Sequence, residues 1–160
     1  MDKDLFYREI NQQIEAICSG EPSLIANLAN VSAILFERLK DINWAGFYLM
    51  QKSIVSDEKE LVLGPFQGKA ACVRIPVGRG VCGTAVAIKE SQLIDDVHEF
   101  DGHIACDTAS NSEVVVPIMQ NGVVVAVLDI DSPSLARFDH QDLVGLQQTV
   151  TFLESIWSED

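Results

Sequence analysis

Four cysteines, Cys18, Cys72, Cys82 and Cys106, are the residues of this chain best suited to covalent chemistry. No C-x-x-C pair occurs, and His98 and His103 stand in no regular ligand spacing with the thiols, so metal ligation is not expected. Inert packing and thiol redox chemistry are the remaining readings. A cysteine taken alone is most often a buried small hydrophobe, and Cys18 is read that way. Cys72, Cys82 and Cys106 lie close together in sequence. Cys106 falls in "HEFDGHIACDTASNSE" (98–113), which has neither helical nor strand periodicity. Long irregular segments of compact domains are usually functional or disordered. One that holds Phe100, Ile104 and a thiol does not read as a linker, although an Ω-loop that only covers a sheet would also fit. A loop thiol that attacks, then meets a resolving thiol on a rigid element, is how a dithiol catalyst would be built.

Carboxylates add a second constellation. Asp129 and Asp131 end the apolar run "VVVAVLDID" (123–131). Their spacing puts both on one strand face if the strand reaches that far; otherwise they begin the turn at "DSPS". Glu113 opens the partner run "EVVVPIM". A three-residue loop, Gln120 to Gly122, would set Glu113 opposite Asp129 on the same face, and a two-residue turn would set it opposite Ile130 on the other. Only the first register clusters three acids. Such a cluster could keep one carboxyl protonated as a donor, or bind an ammonium group. In "NWAGFY", Trp44 and Tyr48 share a strand face. They form either ordinary core or an aromatic wall suited to a cationic or sulfur-bearing ligand.

The elements that must position these groups can be read from pattern. Residues 4–18 form an amphipathic helix with the stripe Phe6, Ile10, Ile14 and Ile17, broken by "GEP". A second helix runs to about Lys40 on Leu24, Leu28, Val31, Leu35 and Leu39. Strands follow at 42–50, 61–66 and 71–77, with 51–60 as a hairpin loop. After the "GRG" turn a short helix starts near Cys82. "SQLIDD" is a brief strand, and Asn-Gly joins strands 113–119 and 123–131 as a hairpin. Asp139 caps a last helix whose stripe is Leu143, Leu146, Val150, Leu153 and Trp157. This order predicts an α+β fold. An antiparallel sheet of about six strands carries the N- and C-terminal helices on one face, and loops and the short helix on the other. The expected organisation is one domain over 1–160. It comprises N-terminal helices (1–40), a sheet with an inserted helix and an active-site loop (42–131, loop 95–112), and a C-terminal helix (139–157).

Composition narrows the function. The chain has 160 residues, 48% of them apolar, and a formal net charge of -13. Nucleic acid and anionic membranes need basic patches and are disfavoured as partners. No apolar run is long enough to span a bilayer, and the charged start "MDKDLFYREI" does not resemble a signal peptide, so a cytoplasmic protein is expected.

Taken together, "NWAGFY", "LGPFQGKAACVRIPVGRGVCGTAV", "DVHEFDGHIACDTASNSEVVVP" and "AVLDIDS" resemble the free methionine-(R)-sulfoxide reductase family of single GAF-domain enzymes. The resemblance runs from about Phe6 to Phe152. It implies a GAF-like fold and thiol-dependent reduction of free L-methionine (R)-sulfoxide, through a cysteine sulfenic acid and an intramolecular disulfide. No bound cofactor is implied, and thioredoxin is the implied electron donor. By position in the motifs, Cys106 resembles the nucleophile, Cys72 the resolving thiol and Cys82 an auxiliary thiol. Glu113, Asp129 and Asp131 resemble substrate-binding acids, and Trp44 and Tyr48 the pocket lining. The substrate carboxylate is expected at backbone N–H groups around Gly80 to Thr84. GAF domains often pair through their terminal helices, so a homodimer is a further implication, although the stripes could be satisfied within one chain. The competing reading is a non-catalytic GAF module that senses a small molecule or redox state. One tension stands between the two lines of argument. A helix N-terminus lowers a thiol's pKa, so local physics nominates Cys82 as nucleophile where the resemblance nominates Cys106.

Overall fold

The computed structural model describes residues 1–102 and 110–158. The chain begins with α1 (Lys3–Cys18), whose N-cap Asp2 accepts bonds from the amides of Asp4 and Leu5, and α2 (Leu24–Arg38), capped by Ser23. Helix α1 buries Tyr7, Ile10, Ile14 and Cys18. The expected stripe is rotated: Ile17 is 47% exposed. At about 100° per residue, Tyr7, Ile10 and Cys18 lie within roughly 40° of Ile14, whereas Phe6 and Ile17 sit about 60–80° to one side. Cys18 is a core residue, as read from sequence.

Strand β1 (Trp44–Lys52) and β2 (Lys59–Gly68) form a hairpin, so much of the excursion at 51–60 is strand. β3 is only Arg74–Ile75, far shorter than the expected 71–77. Pro76 ends it, since proline cannot donate to the ladder. Cys72 therefore lies on the connector before β3 rather than in a strand. Then come α3 (Gly80–Ile88), β4 (Gln92–Ile94), a 3-10 turn (Val97–Glu99), β5 (Ser112–Gln120), β6 (Val123–Ser132) and α4 (His140–Ile156). The six strands form one sheet in the order β3-β2-β1-β6-β5-β4, with every pairing antiparallel. The expected α+β architecture is the one observed.

The two sheet faces carry separate cores. On one, α2 and α4 pack over Phe47, Val116, Ile118, Leu128 and Ile130, and α1 packs against these two helices. On the other, α3 packs over Trp44, Tyr48, Val115 and Val127. Helix α4 opens on a reciprocal capping box between Asp139 and Asp142.

Two irregularities tune the ladders. In the first, β2 carries an extra residue around Gly64 and Pro65 opposite β1, the kind of position where a strand tolerates proline. The second lies in β6. The hairpin closes on a tight turn at Asn121-Gly122, both with positive φ, as a type I′ turn demands. Gln120 pairs with Val123 and Met119 with Val124, but Ile118 pairs with Ala126, so Val125 is bulged out. From there on Glu113 faces Asp131 and Val115 faces Asp129. Neither register expected from loop length occurs. The turn is the two-residue one, and the bulge adds the residue that returns Glu113 to the acids' face.

Candidate active site

β6 runs through Ser132, so Asp129 and Asp131 are strand residues and do not begin the turn. Strand β1 continues the same face: Trp44 pairs with Asp131 and Gly46 with Asp129. A cavity opens over this face between β1, β5, β6, α3 and the connector that follows β2. Glu113, Asp129 and Cys82 line it, with exposures of only 7%, 5% and 4%.

The cavity wall is aromatic. The rings of Trp44 and Tyr48 stack at 5.8 Å, and Phe66 stacks on the far side of Trp44 at 5.1 Å. Both site aromatics use their polar ends to hold the connector. Trp44 Nε1 donates to the Lys69 carbonyl at 3.1 Å, and the Tyr48 hydroxyl donates to the Cys72 carbonyl at 2.9 Å. They are thus both wall and brace, and the brace ends on Cys72 itself. The Cys72 sulfur is disulfide-bonded, whereas Cys18 and Cys82 have free thiols. Cys106 lies outside the described residues.

Burial governs the electrostatics of the floor. Desolvation, with the charges of Asp129 and Asp131 nearby, pushes the Glu113 carboxyl well above the carboxylate range. Burial also raises Asp129, but donation from Glu113 and Cys82 works against the shift. Glu113 is therefore the member that keeps a proton, and Asp129 is the better acceptor. Cys82 Sγ donates to Glu113 Oε2 at 3.9 Å. Its thiol is pushed up by burial first and by the acids' charges second. This overturns the local argument for Cys82 as a thiolate. It does stand in the first turn of α3, but burial, with the buried carboxyls beside it, outweighs the helix end, whose effect is only about 0.3–1 kcal/mol. Cys82 is a donor to the cluster.

Helix α3 also bears on the expected carboxylate site. The Gly80 amide donates to the Gly102 carbonyl and the Gly83 amide to that of Arg79. Among the described residues, Val81 and Cys82 are left as the first-turn amides without a backbone acceptor. The site is therefore narrower than the expected Gly80 to Thr84.

The described residues on either side of 103–109 are anchored to the fold. Asp96 caps the 3-10 turn through the His98 amide, and Phe100 packs into the site-face core. On the far side, His98 Nε2 and Asn111 Oδ1 lie 3.0 Å apart, and Ser110 lines the cavity. His98 is thus engaged with an amide side chain.

Three contributors were missed from sequence. Arg79 lines the cavity but was read only as part of a turn. A rare cation beside an expected carboxylate subsite was the available signal. Ser110 had none. Gly46 lies between Trp44 and Tyr48 on the site face, and a Cβ there would fall 2.3 Å from Phe66 Cβ. A glycine between two aromatics at alternating spacing signals close approach.

These features can be set against known proteins. A model of the GAF domain family matches residues 25–156. A free methionine-R-sulfoxide reductase of Escherichia coli (strain K12) is 57% identical over 98% of this chain and 91% of its own length. Among solved structures, a free methionine-R-sulfoxide reductase from Neisseria meningitidis in complex with its substrate superposes with a TM-score of 0.90 at 46% identity, covering 98% of this chain and 90% of that one. The reduced form of fRMsr from Staphylococcus aureus gives a TM-score of 0.87 at 47% identity, covering 94% of each chain. With its sheet order, its acid floor and these matches over almost its whole length, the chain belongs to the free methionine-(R)-sulfoxide reductase family of GAF-domain proteins.

Proposed function

We propose that this chain reduces free L-methionine (R)-sulfoxide to methionine, using Cys106 as nucleophile, Cys72 as resolving thiol and thioredoxin as reductant. The observation that carries this reading is the buried acid floor at the foot of an aromatic cavity whose rim is the Cys72 connector. A free amino acid brings an ammonium, a carboxylate and a sulfoxide, and the cavity offers a partner for each. Asp129 and Asp131 take the ammonium. The Val81 and Cys82 amides, beside Arg79, take the carboxylate. Trp44 and Tyr48 flank the thioether carbons and sulfur.

Glu113 supplies the activation. A sulfoxide oxygen leaves poorly unless it is protonated, and a carboxyl that holds its proton in a buried site is a ready donor. The Cys106 sulfur attacks the sulfoxide sulfur as the oxygen gains the proton. Collapse releases methionine and leaves Cys106 as a sulfenic acid. The Cys72 thiol then attacks that sulfur, forming the disulfide and water. Thioredoxin, itself oxidised to a disulfide, returns both thiols. Cys82 contributes a hydrogen bond that keeps the acid cluster organised. The reaction is assigned to the cytoplasm, where a reducing thiol pool sustains the cycle.

The test is methionine production from the separate R and S epimers with a thiol reductant. Methionine should form from the R epimer. Cys106→Ser should abolish even a single turnover, and Cys72→Ser should preserve one turnover but block recycling by thioredoxin. An active Cys106→Ser protein would refute the assignment. No methionine from either epimer, with folded and reduced protein, would leave a ligand-binding GAF module.

A further inference from the structure

The floor of the cavity holds more than an ammonium needs. Cys82 Sγ and carboxylate oxygens of Glu113 and Asp129 lie within 4.8 Å of one another, and all three side chains are buried. They come from three separate elements, α3, β5 and β6, so their convergence does not follow from local sequence. Among the described residues no ion pair joins Glu113 or Asp129 to a cation. A second observation is independent of the clustering: Asp129 Oδ1, on a side chain 5% exposed, has no hydrogen-bond partner among the described residues. A buried carboxylate oxygen left without a donor is rare and costly, and marks a place where a ligand belongs.

We propose that Cys82, Glu113 and Asp129 form a site for a soft divalent cation such as Zn²⁺, and that metal and amino-acid substrate exclude each other from the cavity. The chemistry of the donors favours zinc over magnesium or calcium, because a thiol, which a metal would bind as the thiolate, sits beside two carboxyls. Tetrahedral Zn²⁺ with Zn–S of about 2.3 Å and Zn–O of about 2.1 Å needs donors about 3.4–3.6 Å apart. The Cys82–Glu113 separation is 3.9 Å and all three donors lie within 4.8 Å, so closing the site calls for small movements of the side chains. Three protein ligands leave one position toward the cavity for water. Binding replaces the protons held between the donors and releases them to solvent. The metal would occupy the place of the substrate's ammonium, so this inference rests on the substrate reading only for the exclusion.

Cadmium is the probe, because its thiolate complexes absorb in the ultraviolet. The oxidised protein is used, in which Cys72 is disulfide-bonded and the free thiols of the described residues are Cys18 and Cys82. Titration should saturate at one equivalent of Cd²⁺ with a thiolate-to-metal band. Cys18→Ser should retain the band and Cys82→Ser should lose it. Glu113→Gln and Asp129→Asn should each weaken binding by about tenfold or more. Added methionine should raise the apparent Kd for Cd²⁺. A band that survives Cys82→Ser overturns the site, and so does the absence of saturable binding by the unmodified protein, which requires no variant to fold. An unchanged Kd in methionine overturns the exclusion alone. None of these readouts needs turnover, so failure of the reductase reading in the epimer assay would be seen separately.

Discussion

Glu113 has two properties that pull on different measurements. It is buried beside Asp129 and Asp131, and its carboxyl is held well above the ordinary range, first by desolvation and then by those charges. If its proton activates the sulfoxide, turnover is supported while Glu113 stays protonated and is lost as pH rises through its folded pKa. Glu113→Gln keeps an N–H donor but has no proton to transfer. We expect kcat to fall by about 10²-fold or more, with that basic limb absent from the variant's pH–rate profile. The same group sets a stability signature. Its folded pKa lies above its unfolded value of about 4.3, so the folded protein binds the proton more tightly. Its contribution to stability is complete below the unfolded pKa and declines as pH rises toward the folded one. Denaturant unfolding across this range should show the unmodified protein losing stability relative to Glu113→Gln. A constant difference with pH would mean that Glu113 is ionised in the fold.

At the scale of elements, the site depends on irregularities rather than on regular strands. A bulge at Val125 decides that Glu113 joins Asp131, and the missing side chain of Gly46 lets β2 close on β1 behind the aromatic wall. Gly46→Ala would drive a Cβ into Phe66 and its backbone, at 2.3 and 2.7 Å. Neither is the free end of a side chain, so the hairpin must shift. We expect a loss of about 1–3 kcal/mol in stability, and a raised KM because Phe66 backs the Trp44 ring. Unchanged stability and KM would mean that the β1–β2 hairpin slides freely. These details mark how far the sequence was legible. Helices α2 and α4 and the strand order of types were readable, because periodicity and caps such as Asp139 are local signals. The acid trio was readable as a possibility, since Asp129 and Asp131 alternate at strand spacing. Its register was not, because a bulge in a run of small apolar residues leaves no mark: Val125 looks like Val123 and Val124. The reach of β3 was overestimated because the alternation in "ACVRIPV" continues past the edge where β2 stops pairing with it. The local argument for a Cys82 thiolate fails because its burial, and then the carboxyls of β5 and β6, are set by elements distant in sequence.

Across the whole molecule the sheet separates stability from chemistry. Residues of β1, β5 and β6 alternate between a helix-covered face and the cavity face, so Phe47 and Leu128 serve one core while Tyr48 and Val127 serve the other. The helix-covered core is the larger store of buried apolar surface. It is tied by a polar seam between α1 and α4: the Tyr7 hydroxyl donates to Asp142 Oδ1 at 2.7 Å, and Lys3 Nζ reaches Asp142 Oδ2 at 2.8 Å. Asn11 and Thr149 add a buried hydrogen bond in the same seam. None of these groups touches the cavity, so changes there should act on folding and not on catalysis. Leu146 is a direct case. It is fully buried on α4, on the face away from the acids. Leu146→Ala removes buried methyl groups and leaves a void that the neighbouring helices can only partly fill, at a cost of about 2–5 kcal/mol. For a chain of this size each kcal/mol lowers Tm by about 2–4 °C. Well below the new Tm, KM for the sulfoxide and the pH–rate profile should match those of the unmodified protein, because the sheet backbone that sets the site register stays paired. A changed KM at full folding would show that α4 packing reaches through β5 to Glu113, and the two faces would then have to be treated as one coupled unit.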